Sequence, residues 1–176
     1  VIDATRLYQS LYLLQQLAEL GRPMVVALTM TDAALRKGIR VNTEALSERL
    51  EGIPACTIIA TTGSGIDRLR ELVAQAVTSQ PPGARSFWPD LRRTAEVVRE
   101  EFEETTLSVV EIERALIDSD TQSIDTLRTT SGEGAVKRVA ELRENLCGDE
   151  PPLAVEARNR YEWIKRTLPH VQSKAG

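Results

Sequence analysis

Two short segments carry residues whose types and spacing suit ligand recognition. Thr29-Met30-Thr31-Asp32 follows the apolar run Met24–Leu28, and Thr61-Thr62-Gly63-Ser64-Gly65-Ile66 follows the run Cys56–Ala60. A carboxylate just beyond a buried strand can accept two N–H donors at once. In open parallel sheets, ligands bind at that carboxyl end. Gly63 and Gly65 permit a tight turn. Each segment also has a plain reading, a strand leading into a capped helix. Other chemistry finds little support. Glu100, Glu101, Glu103 and Glu104 could attract iron, but they run around a helix beside an apolar stripe, which favours a solvated acidic face. Gly132-Glu133-Gly134-Ala135-Val136-Lys137 lacks the spacing of a phosphate-binding loop. Cys56 reads as core, and His170 has no Ser, Cys or Asp partner in view. No catalytic residue and no metal ligand is expected.

The elements that must position these segments alternate over the first half. Val1-Ile2 ahead of Asp3-Ala4-Thr5 reads as the end of a buried strand, and Leu7, Leu11, Leu14 and Ala18 recur on one helix face. Gly21 and Pro23 stop that helix. Met24–Leu28 does not alternate, as expected of a strand covered on both faces. A turn through Asp32 to Lys37 ends at Gly38, Thr43–Leu50 forms a helix, and Cys56–Ala60 forms a third strand. A last helix buries Ile66, Leu69, Val73 and Ala76. This succession predicts an α/β unit with parallel strands over residues 1–79. Residues 80–87, rich in Pro and Gly, read as a linker. Residues 88–170 predict an all-α helical bundle. One long helix runs through Leu91, Ala95, Val98, Phe102, Val109, Ile112 and Leu116, with Thr105 its one polar stripe position. Further helices carry Val136 to Leu146 and Leu153 to Leu168, and Ser119–Thr130 gives a weak helical signal.

Composition narrows the function classes. The 176 residues are 41% apolar and 27% charged, with a net charge of −4. No apolar run approaches the ~20 residues of a membrane span, and no basic-then-apolar leader opens the chain. Cys56, Cys147 and the single His170 are too few for a disulfide framework or a Cys/His zinc site, and they fit a reducing compartment. Without a basic patch, no nucleic-acid partner is expected.

Thr29-Met30-Thr31-Asp32 resembles the fourth guanine-nucleotide motif of small GTPases, Asn/Thr-Lys-x-Asp. There the carboxylate accepts the N1 and exocyclic N2 hydrogens of guanine, a donor pair that adenine lacks. Ile59-Ala60-Thr61-Thr62-Gly63-Ser64-Gly65-Ile66 lies where the fifth motif and its Gly-x-Gly-Ile/Val continuation belong. Further matching blocks are Val1-Ile2-Asp3-Ala4-Thr5, Glu19-Leu20-Gly21-Arg22-Pro23, Val25-Val26-Ala27-Leu28 and Lys37-Gly38-Ile39. Together they make residues 1–78 similar to the second half of the G domain of the ferrous iron transport protein B (FeoB) family. Glu156-Ala157-Arg158-Asn159-Arg160-Tyr161-Glu162-Trp163-Ile164 resembles that family's last cytosolic helix before the membrane region.

The resemblance implies a partial small-GTPase-like parallel sheet followed by the helical bundle. Its ligand would be GTP or GDP, with magnesium bound in the complete domain. Thr29, Met30 and Asp32 would contact the base, Met30 packing on its face, while Ala60, Thr61 and Thr62 close over it. The segment would sit at the cytoplasmic face of the bacterial inner membrane, with the membrane region of the same protein as its partner. Thr29 stands where the family usually has Asn, and one hydroxyl cannot reproduce the amide's two-ended bridge, which predicts weaker guanine binding. The phosphate loop, the switch threonine and the Asp-x-x-Gly motif are missing, which implies that the chain starts midway through a G domain. GTP hydrolysis would then belong to the complete domain. Three strands are too few to finish the family's sheet, so the chain is not expected to stand alone as a compact monomer: either upstream segments exist but are disordered or removed, or a second copy supplies the missing surface, as a homo-oligomer or a domain-swapped dimer. The competing expectation is an interaction or structural module with no nucleotide function.

Overall fold

The apolar run after Pro23 forms a strand as the sequence predicts, and its neighbours in space are the two other predicted strands. In the computed structural model, which describes residues 1–79, 86–119 and 122–174, β1 (Ile2–Asp3), β2 (Val26–Thr29) and β4 (Ala55–Thr57) form a parallel sheet in the order β1-β2-β4. Helix α1 (Leu7–Ala18) buries the predicted face, Leu7, Leu11, Leu14 and Ala18. Helix α3 (Thr43–Arg49) is capped by the Asn42 side chain, which accepts from the Glu44 and Ala45 amides at 3.0 Å each. Helix α4 (Ile66–Thr78) supplies Leu72 to a core with Ala27, Cys56 and Ile58, with Ile66 and Leu69 packed beside it. The expected stripe is wrong at Val73, which is 46% exposed, because Leu72 takes the inward position.

Two local expectations change. The turn after Thr29 is a short helix, α2 (Thr31–Arg36). It is followed by β3 (Ile39–Val41), which pairs antiparallel with β5 (Gln172–Lys174) near the end of the chain. Neither strand has a readable pattern at three residues.

The chain divides into two compact units, Val1–Arg85 together with Glu162–Gly176, and Ser86–Tyr161. The first holds twelve basic and nine acidic side chains (+3), the second ten and seventeen (−7). The predicted linker lies outside the described residues, apart from Ser86 and Phe87.

The second unit is helical. The long helix expected through Thr105 is two helices, α5 (Pro89–Glu101) and α6 (Val109–Ile117). The break has a local cause. Ser108 and Glu111 form a reciprocal capping box that starts α6. Buried Thr105 turns inward, its hydroxyl accepting from the Leu107 amide and its carbonyl from Arg99. The next helical stretch, α7 (Gln122–Cys147), is interrupted at Gly132, whose φ of 80° and ψ of 178° are not helical. Leu91, Val98, Ile112, Leu116, Leu127 and Val139 are central to this unit's core. Helix α8 (Pro152–Val171) contributes Val155 to it. No helix among the described residues is long and apolar enough to cross a membrane.

Candidate functional site

Strand register decides which residues can act together. Asp3 pairs with Thr29 and Leu28 with Thr57, and the Ile58 amide donates to the Leu28 carbonyl at 2.8 Å. The segments Met30–Asp32 and Ile59–Thr62 therefore leave neighbouring parallel strands at the same, carboxyl, end. That is the ligand-binding end of an open parallel sheet.

The first segment is built for a displayed carboxylate. The Thr29 hydroxyl donates to the Ile2 carbonyl at 3.1 Å, tying β2 to β1. That donor is already engaged within the sheet. Met30 adopts φ 58°, ψ 23°, the left-handed region, and its side chain is half exposed. A non-glycine residue there costs about 1–2 kcal/mol, a strain that is found at functional turns. The Met30 carbonyl accepts from the Ala34 amide at 2.9 Å, closing the first turn of α2. Asp32 lies in that turn, and its Oδ2 accepts from Arg36 Nη1 at 2.9 Å. The Arg36 guanidinium holds the Asp32 carboxyl below the usual carboxylate range, so the group is an acceptor only at neutral pH. Arg36 is the residue the sequence reading missed. The available signal was its position four residues after Asp32 on a helical turn.

The second segment is a compact turn. The Ile59 amide donates to the Ser64 carbonyl at 2.9 Å, and the Thr62 amide donates to the Ile59 carbonyl at 3.2 Å. The Thr62 hydroxyl accepts from the Ser64 amide at 3.4 Å. Ala60, Thr61 and Thr62 are exposed at its tip. Gly65 fixes the turn against β4, because a Cβ at this residue would lie 2.0 Å from the Thr57 carbonyl oxygen. Its φ of 82° is also left-handed. Beside the two segments, α2, β3 and β4 line an open pocket of about 300 Å³. Thr31, Leu35, Val41 and Ile59 line it, so it adjoins the candidate residues without including the Asp32 carboxylate.

The alternative chemistries have structural answers. Arg138 grips Glu101 through two 2.9 Å hydrogen bonds, and buried Glu113 pairs with Arg92 at 2.6 Å. Burial pushes the thiols of Cys56 and Cys147 up, away from thiolate chemistry. Among the described residues, no three His, Cys, Asp or Glu side chains converge as a metal site would require.

Comparison with known proteins points one way. Residues 1–73 match the profile of the family described as Ferrous iron transport protein B. The chain is 47% identical over 70 residues to the Fe(2+) transporter FeoB of Escherichia coli (strain K12), which is 40% of this chain and 9% of that protein. The counterpart in Salmonella typhimurium is 46% identical over the same length. Among solved structures, the cytosolic domain of L. pneumophila FeoB is 31% identical with a TM-score of 0.67, covering 98% of this chain and 66% of that one. A GDP-bound S. thermophilus NFeoB variant is similar in fold, with a TM-score of 0.82 at 24% identity, covering 98% and 67%. This chain thus spans about a tenth of the curated relatives' length and about two thirds of the solved domains.

Proposed function

We propose that this chain, which belongs to the ferrous iron transport protein B family, is the guanine-recognising and helical part of a nucleotide-binding domain in a ferrous iron transporter. The observation that carries the reading is the register of β2 and β4, which brings the Thr29–Asp32 and Ile59–Thr62 segments to one end of a parallel sheet. In this reading the ionised Asp32 accepts the N1 and N2 hydrogens of guanine, and Met30 packs on the base. Ala60, Thr61 and Thr62 cover its far edge. Adenine would present an acceptor to the carboxylate instead of a donor, and an unpaired carboxylate against the base is costly. Solved relatives bound to GDP and in the GMPPNP form support a guanine nucleotide as ligand.

Magnesium binding and GTP hydrolysis belong, in this proposal, to the complete domain, since this chain holds neither a phosphate loop nor the switch motifs. The helical unit would couple nucleotide state to the transporter's membrane region at the cytoplasmic face. The three-stranded sheet and the exposed Leu13, Leu17 and Val77 favour a further surface covering the first unit, from upstream residues or from a second copy of the chain. The test is a titration of the isotope-labelled 176-residue chain with GDP and ADP into the millimolar range, followed by backbone amide shifts. GDP-selective shifts confined to residues 29–32 and 59–64 are expected. Equal responses to the two nucleotides would overturn the proposal.

A further inference from the structure

The pairing of β3 with β5 joins two stretches of chain that carry cations and no carboxylate. Residues 33–43 include Arg36, Lys37 and Arg40, residues 163–174 include Lys165, Arg166 and Lys174, and neither stretch holds an Asp or Glu. In sequence the two halves are more than a hundred residues apart, so the basic patch they form exists only in the fold. Ile39 stands directly opposite Lys174 in the ladder, and directly opposed residues share a face. Lys37, Gly38 and Ile39 line one side of an open pocket of about 460 Å³, with Gln172, Ser173 and Lys174 on the other. Ile39 also lines the neighbouring pocket, where Leu35, 49% exposed, and Val41 supply apolar wall and Arg40 a further cation. Two ammonium groups thus meet across a recess that adjoins exposed apolar surface.

The charge of this patch is not spent internally. Arg36 and Lys165 have Asp32 and Glu162 as partners, whereas Lys37, Arg40 and Lys174 form no ion pair among the described residues. The Asp3 carboxyl is held low first by the Thr5 hydroxyl and only last by Lys37. Exposed lysines hold a single small anion weakly, because water and salt screen each contact. A surface that presents many phosphates at once adds such contacts, each cation near an anionic membrane multiplying binding about fivefold. Nucleic acid would also supply phosphates, but no aromatic side chain for base stacking lines either pocket. Exposed Leu35 suits a lipid interface instead. We propose that the β3–β5 face is a docking surface for a membrane bearing anionic, phosphate-containing headgroups, which Lys37 and Lys174 meet across the pocket while Leu35 enters the headgroup layer. The proposal takes only the transporter context from the function given above and does not depend on guanine recognition.

The experiment is flotation of the 176-residue chain with vesicles of equimolar phosphatidylglycerol and phosphatidylcholine in a density gradient, where self-associated protein sinks and is not counted. Binding is expected with these vesicles and is expected to fall with rising salt. Lys37→Gln and Lys174→Gln should each weaken it about fivefold, and together about twenty-five-fold. Both side chains are exposed, so the melting temperature should not change. Lys137→Gln removes the same charge from an exposed position on α7 and should leave binding as it was. Equal flotation with phosphatidylcholine alone, or an equal loss in Lys137→Gln, would overturn the proposal. Displacement of the vesicles by millimolar inorganic phosphate would assign the pocket to a free anion, and tighter binding of an RNA duplex would assign it to nucleic acid; either overturns the membrane as occupant. The GDP titration separates the two levels. Vesicle binding by a chain that does not prefer GDP keeps this proposal and removes the guanine reading, and GDP preference without vesicle binding does the reverse.

Discussion

Gly65→Ala is the substitution with the sharpest expected consequence for the site's scaffold. The Gly65 position has φ 82°, and an added Cβ would lie 2.0 Å from the Thr57 carbonyl oxygen and 3.1 Å from its carbon. The left-handed backbone alone costs a non-glycine residue about 1–2 kcal/mol. Relieving the overlap requires moving either the turn or the end of β4. The second move disturbs the 2.8 Å bond from the Ile58 amide to the Leu28 carbonyl, a loss of about 0.5–1.5 kcal/mol. The total is about 1.5–3.5 kcal/mol, a large part of a typical margin of about 5–15 kcal/mol. Gly63→Ala is the control, because Gly63 has φ 72° and nothing within 4 Å of its would-be Cβ. It should cost only the backbone part. Urea denaturation followed by circular dichroism measures both variants, and hydrogen exchange at Ile58 locates the damage. Equal destabilisation by the two substitutions, or a Gly65→Ala effect under about 0.5 kcal/mol, would refute the packing argument.

Three further outcomes follow. Thr29→Val should destabilise the chain by about 0.5–1.5 kcal/mol in urea denaturation, because the 3.1 Å hydrogen bond to Ile2 is lost while shape is kept. The Arg138 guanidinium holds the Glu101 carboxyl below its ordinary range. The stability it contributes is therefore full above the ordinary glutamate value of about 4.3 and is lost as pH falls through the lowered value. Melting temperature should accordingly drop less between about pH 5 and pH 3 in Glu101→Gln than in the unsubstituted chain. Light scattering should find the chain self-associated or binding an apolar-surface dye, given Leu13 at 58% and Val77 at 77% exposure; a monomer that binds no dye would contradict this.

The parallel core was legible because burial imposes patterns on sequence. Val26-Ala27-Leu28 had to be continuously apolar, and the stripe Leu7, Leu11, Leu14, Ala18 had to repeat at helical steps. The second unit was legible in class but not in detail. Its stripe runs unbroken in sequence through Phe102 and Val109, and only the polar partners of Thr105 and the Ser108–Glu111 box reveal why the helix breaks there. Strands β3 and β5 escaped because their partner is more than a hundred residues away and each is three residues long. At the site, Asp32 could be picked out by its place after a strand, but the Arg36 contact depended on recognising that a six-residue stretch is helical. Gly65 was readable as a turn residue; its close approach to Thr57 was not.

In the proposed function, Asp32 reads guanine through paired acceptors at the end of β2. Exchanging Asp32 for Asn replaces one acceptor oxygen with a donor, which suits the extra carbonyl of xanthine in place of the guanine amino group. Titrating both forms of the chain with GDP and XDP, and following the amides of residues 29–32 and 59–64, measures this directly. The unsubstituted chain is expected to favour GDP, and Asp32→Asn to reverse the order towards XDP. Retention of the same GDP affinity and the same GDP-over-XDP preference in Asp32→Asn would contradict it.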